Sequence, residues 1–75
     1  MNLVQITWID AIGGDGWTTE KELLEQGPVI HNSVGYVVME DEDKVTITMS
    51  YDADKDNLGA WLCIPKRYIV EMREI

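Results

Sequence analysis

Lys44-Val45-Thr46-Ile47-Thr48-Met49-Ser50-Tyr51 alternates polar and apolar side chains over its whole length. Val45, Ile47, Met49 and Tyr51 point one way, and Lys44, Thr46, Thr48 and Ser50 point the other. That period of two marks a half-buried β-strand, because a helix needs an apolar stripe every three to four residues. The same period extends outward in both directions. Upstream, Leu3–Asp10 sets Val4, Ile6 and Trp8 against Gln5 and Thr7, with Leu3 and Ile9 on the second face. Val29–Met39 carries Val34, Tyr36 and Val38 on one face. Downstream, Gly59–Ile64 sets Ala60, Leu62 and Ile64 against Trp61 and Cys63. Tyr68–Met72 places Tyr68, Val70 and Met72 opposite Glu71 and Arg73.

The connections between these strands are short, with one exception. Glu40-Asp41-Glu42-Asp43 forms a tight charged turn, and Asp52–Leu58 is rich in the Asp and Asn that tolerate turn geometry. Pro65-Lys66-Arg67 leaves room for a single 3₁₀ turn. Ala11–Gly27 is long. It opens on Gly13-Gly14-Asp15-Gly16, and Thr19 with Glu22 then supplies a capping box for a short helix over Glu20–Gln26, ended by Gly27 and Pro28. So short a helix is not stable alone, so Leu23 or Leu24 is expected to dock on the sheet.

Seventy-five residues make one domain, expected to span 1–75. Fourteen acidic and six basic side chains leave a formal charge of −8, while 45% apolar residues are too many for a disordered acidic tail. The core must be thin, of the order of ~3–5 kcal/mol net, and Cys63 as the only cysteine excludes an internal disulfide. The acid excess argues against tracking DNA or RNA phosphates directly. The N-terminus lacks the pattern of a signal peptide, and the longest apolar run, Leu58–Ile64, is far short of the ~20 residues that span a bilayer. The expectation is a cytoplasmic protein with no membrane contact.

Five short strands with local connections point to a mainly all-β fold, a small closed or nearly closed barrel with one short helix in its long first loop. Gly59-Ala60-Trp61-Leu62-Cys63-Ile64-Pro65-Lys66-Arg67-Tyr68-Ile69 resembles the closing segment of Src-homology-3 barrels, where a glycine-containing strand runs into an Ile-Pro-x-x-Tyr-Val-like turn. The chain also resembles small barrel proteins encoded by tailed bacteriophages, which pair an early Trp-Ile-Asp-Ala and Gly-Trp (Trp8–Ala11, Gly16-Trp17) with a late Ile-Pro-Lys (Ile64–Lys66). The resemblance implies a five-stranded Src-homology-3-like barrel and a phage origin, with residence in the host cytoplasm during infection. Pro65 and Tyr68 match two walls of the family's proline-peptide groove. The family's early aromatic motif is missing, and Lys44-Val45 stands where a ligand-contacting Trp would open the third strand.

Catalytic groups are sparse. Cys63 sits between Leu62 and Ile64, which reads as core packing rather than an activated thiol, and His31 lies near a strand start. Asp52-Ala53-Asp54-Lys55-Asp56-Asn57 begins like a calcium loop, but Asn57 replaces the required glycine and Cys63 falls where the bidentate acid belongs. The Gly13–Gly16 tip lacks the Gly-Lys-Ser/Thr of a phosphate loop. The chain therefore reads as a non-enzyme without cofactor or metal.

Recognition is left, and three features carry it. Trp17 follows three glycines outside any strand period and reads either as a contact residue or as a lid on one end of the barrel. Trp61, on the minority face of its strand, either covers a second small core or sits in a subunit interface. Acids are grouped at Asp15 in the first loop, at Glu40, Asp41, Glu42 and Asp43, and again over Asp52–Asp56. This reads either as a solvated face that confers solubility or as a spacing that imitates duplex phosphates in a basic channel. Lys66 and Arg67 beside Tyr68 form a local basic and aromatic set able to grip a nucleotide. The leading expectation is an accessory protein that binds and modulates a host protein, possible targets being nucleic-acid-handling or defence enzymes. The alternative is a homo-oligomer that sequesters a nucleotide immune signal, an anti-defence sponge. A minor virion or assembly component is the third.

Overall fold

The computed structural model covers residues 1–75 and is built from five strands and two short helical turns. The strands are β1 (Leu3–Asp10), β2 (Val29–Glu40), β3 (Lys44–Tyr51), β4 (Leu58–Pro65) and β5 (Ile69–Glu74). A helix α1 (Glu20–Leu24) lies between β1 and β2, and a 3₁₀ turn (Lys66–Tyr68) joins β4 to β5. All pairings are antiparallel, in the order β4-β3-β2-β1-β5.

The expected closure of the barrel is not made. β4 and β5 stand at opposite ends of the hydrogen-bonded order and do not pair, so the sheet stays open. It nevertheless divides into two halves hinged on β2. Val29–Tyr36 of this twelve-residue strand pairs with β1, whereas Tyr36–Glu40 pairs with β3. Gly35 lies at the handover because a side chain there has no room: a Cβ would stand 3.0 Å from the Thr48 carbonyl oxygen and 3.1 Å from Ile47. Close approach of two backbones, rather than any unusual dihedral, is what glycine supplies at this position.

The core is small. Val4 and Ile6 of β1, Val45 and Ile47 of β3, and Ile64 of β4 are buried, with Trp8, Val37, Leu62 and Ile69 packed against them. Cross-strand partners bring these side chains to one face: Val45 opposite Ile64, Ile47 opposite Leu62, and Val37 opposite Ile47. The inward face of β2 is not the one expected from Val34, Tyr36 and Val38. Val34 and Val38 are exposed, while Gly35 and Val37 face the core, Gly35 lying opposite Val4. A register shift between Val37 and Met39 completes the change. In β5 a similar shift puts both Ile69 and Met72 on the inner side, opposite Trp8 and Ile6, and leaves Val70 outside. Met49 lines the same groove as Ile47 but is exposed. The neighbouring Thr48 is fully buried, its hydroxyl placed 2.7 Å from the Gly59 carbonyl and 3.0 Å from that of Ser50.

The first connection departs most from expectation. Thr19 caps α1 as foreseen, its hydroxyl accepting from the Glu22 amide at 3.2 Å, and Thr18 donates to the Glu22 carboxylate at 2.6 Å. Leu23 and Leu24 do not dock on the sheet, however; both are exposed, and Trp17 is fully so. Residues 12–27 form an arm that stands away from the strands. The molecule measures 51 × 23 × 21 Å with a radius of gyration of 15.6 Å, whereas a compact chain of this length has about 11 Å.

Candidate functional site

Two apolar grooves lie between the halves of the sheet, and Leu62 of β4 lines both. The first, about 560 Å³, runs between the end of β1 and the end of β4. Trp8 forms one aromatic wall and Tyr68 another, with Pro28, Cys63 and Pro65 between them and Asp10 on the rim. Trp8 is fixed by pairing in the β1–β2 ladder: its indole N–H donates to the Ser33 hydroxyl at 3.0 Å, and its ring stacks on His31 at 5.3 Å. His31 in turn stands 3.4 Å from the Asp10 carboxylate. Sequence reading missed this cluster, because Trp8 and His31 meet only through the register of β1 with β2. The second groove, about 580 Å³, is lined by Val34, Ile47, Met49, Trp61 and Leu62 together with the small residues near them.

Cys63 is exposed rather than packed in the core, contrary to its apolar neighbours in sequence. Val45 and Ile64, and Ile47 and Leu62, are the inward pairs, so Cys63 opposite Thr46 faces out by simple strand alternation. It lies on the wall of the first groove but has no catalytic partner assigned by any hydrogen bond.

The residues singled out for recognition fall into three places. Asp15 and Trp17 sit on the arm. Trp61 stands on β4, 69% exposed, on the lip of the second groove. Glu40, Asp41, Glu42 and Asp43 meet Lys66, Arg67 and the start of Tyr68's turn at one end of the sheet. There the Lys66 ammonium pairs with Glu40 at 2.8 Å, and the Lys66 amide donates to the Asp43 carbonyl at 2.8 Å. Glu42, Asp43, Pro65, Lys66 and Arg67 share a small polar hollow. The Arg67 guanidinium lies 5.6 Å from the centre of the Tyr68 ring, within cation–π range. The basic pair thus shares this end of the sheet with carboxylates, and Lys66 is paired with one of them.

Both short turns are organised by a single carboxylate. Asp41 Oδ1 accepts from the Asp43 and Lys44 amides at 2.8 and 2.9 Å. Those backbone hydrogen bonds, with Lys44 and Lys66 adding their charge, hold its carboxyl below the usual aspartate range. Asp52 is lowered too, chiefly by the Asn57 side chain, which donates to Oδ2 at 2.8 Å, with the Asp56 amide on Oδ1 at 2.9 Å. The Asp52 oxygens that a calcium loop would offer to an ion are occupied by the loop's own N–H groups. No group of three or more His, Cys, Asp or Glu side chains is arranged to hold a metal. No helix is long and apolar enough to cross a membrane.

Three of the fourteen carboxylates have a cationic or histidine partner within 4 Å: Asp10, Glu40 and Asp41. The others are exposed and have no cationic partner. Compared with models of known protein families, with curated proteins and with solved structures, the chain matches none of them.

Proposed function

We propose that this chain is a Src-homology-3-like, incompletely closed barrel that works without catalysis, binding a basic surface of a host protein and changing that protein's activity. The strand order, the long first connection and the 3₁₀ turn before the last strand support the fold reading. The resemblance to phage barrel proteins supplies the host setting, with a nucleic-acid-handling or defence enzyme as the class of target.

The observation that carries the function is the unpaired acid. Eleven exposed carboxylates have no cationic partner, and two acidic turns stand at the two ends of β3. Eight residues of extended chain separate those turns by roughly 25 Å, wide enough to face a protein's nucleic-acid channel at two points. Asp41 and Asp52 hold the turns in shape from within, so Glu42, Asp43, Asp54 and Asp56 are presented on ordered backbone. Such a field raises the rate of encounter with a basic partner and fixes its orientation.

The test uses tagged chain in lysate of a bacterial host, with recovered proteins identified and their binding remeasured as salt rises. From about 0.1 M to about 1 M the screening length falls from ~10 to ~3 Å. Binding should weaken steeply across that range, and Glu42→Gln with Asp43→Asn should slow association. Recovery of no basic-channel protein, or binding indifferent to salt, would sink the reading.

A further inference from the structure

The strands at the two ends of the sheet are finished differently. β5 carries Glu71, Arg73 and Glu74 among its six residues, charges that discourage another strand from pairing there. β4, from Leu58 to Pro65, has no charged residue. Beside it opens the second groove, whose lining has no ionisable side chain. Trp61 and Met49 on its rim are 69% and 66% exposed. An apolar edge and groove of this kind is an association surface unless something covers it.

The same chain carries an uncovered apolar segment. On the arm, Trp17 is fully exposed and Leu24 is 79% exposed, with Leu23 and Ile12 also open to solvent. α1 has five residues and buries none of them, so it has no packing to sustain it.

We propose that two copies of this chain associate by exchanging arms, Trp17 and the Leu23-Leu24 pair of each copy lying in the Val34–Met49–Trp61–Leu62 groove of the other. The areas match a dimer. The accessible surface is 5938 Å², against about 4,700 Å² for a compact chain of 8.6 kDa, an excess of roughly 1,200 Å². Removing that excess from two chains buries about 2,400 Å², within the ~2,000–5,000 Å² of obligate homodimers. The arm reaches a second copy more directly than its own groove. It leaves β1 and returns to β2 at the same end of the sheet, while Val34 lies further along β2. Folding back would reverse both legs, and Pro28 stiffens the returning one. A two-fold partner meets the arm in its extended form. The acids of the arm remain outside the uncharged groove.

This proposal does not rest on host-protein binding, and salt separates the two. Light scattering and native mass spectrometry of the full chain should give a dimer that persists or tightens from about 0.1 M to about 1 M salt, because two chains of charge −8 repel less when screened. Binding to a basic protein weakens over the same range. Trp61→Glu alone, and Trp17→Ser with Leu24→Ser, should each give a monomer with the circular dichroism of the parent sheet. Mixing those two variants at raised concentration should restore a mixed dimer through its one intact arm and groove. Val70→Glu on the β5 edge should leave the dimer unchanged. A monomeric parent chain, a dimer that survives Trp61→Glu, or no mixed dimer overturns the proposal.

Discussion

The sheet and the arm both carry large apolar side chains, and the two treat them in opposite ways. Ile64 in β4 is fully buried by Val45 and its neighbours, whereas Leu24 in α1 touches mostly solvent. Both are aliphatic, and both sit in regular secondary structure. What separates them is long-range pairing: β4 is laddered to β3 along its length, while the backbone of α1 hydrogen-bonds only within its own segment. An apolar side chain stabilises a fold only where another element comes to meet it.

That contrast can be broken most forcefully at Ile64. Ile64→Ala should cost about 2–5 kcal/mol, as large as the whole net stability of so small a core, and should abolish cooperative thermal unfolding followed by circular dichroism. Gly35→Ala comes next. Its new methyl meets the Thr48 carbonyl at 3.0 Å, where backbone cannot give way, so chemical denaturation should report a loss of about 1–3 kcal/mol.

Acid gives a smaller effect, confined to the short turns. Asp41 and Asp52 have folded-state pKa values lowered from the ordinary 3.8. Their contribution is therefore present above the unfolded value and disappears as pH falls through the folded one. The thermal midpoint of the parent chain should drop more between pH 5 and pH 3 than that of the Asp41→Asn, Asp52→Asn variant. An equal drop in both would remove these two carboxylates from the stability of the turns. Smallest of all is Leu24→Ala on the arm, within about 0.5 kcal/mol in dilute solution, where chains are separate. A cost that grows with protein concentration would sharpen the contrast, since it would show that the arm finds its cover in another copy.

The sequence made the sheet readable wherever one strand face is uniformly apolar. β1 and β3 fall on the expected residues, because their alternation is unbroken over the central positions. The capping of α1 by Thr19 is equally local, as is the 3₁₀ turn after Pro65. The inward face of β2 escaped because Gly35 has no side chain to signal burial, so Val34 and Val38 looked like the core face. Cys63 misled for a related reason: apolar neighbours in sequence are not neighbours in space on a strand. Among the recognition residues, Glu40 and Lys66 were seen as separate features, and their ion pair depends on two turns meeting at the same end of the sheet.

By itself, then, the amino-acid order determined the elements: five strands of period two, a capped single-turn helix, two turns rich in acid, and an overall charge of −8. Those properties follow from dihedral preference and from side chains a few residues apart. The tertiary structure decided what depends on distant partners. It left β4 and β5 unpaired, turned Gly35 and Val37 inward, set Trp8 against His31, and held Trp17 and Leu24 away from the sheet. Register and closure are balances among many weak contacts across the whole chain, and no local pattern of residues encodes their sum.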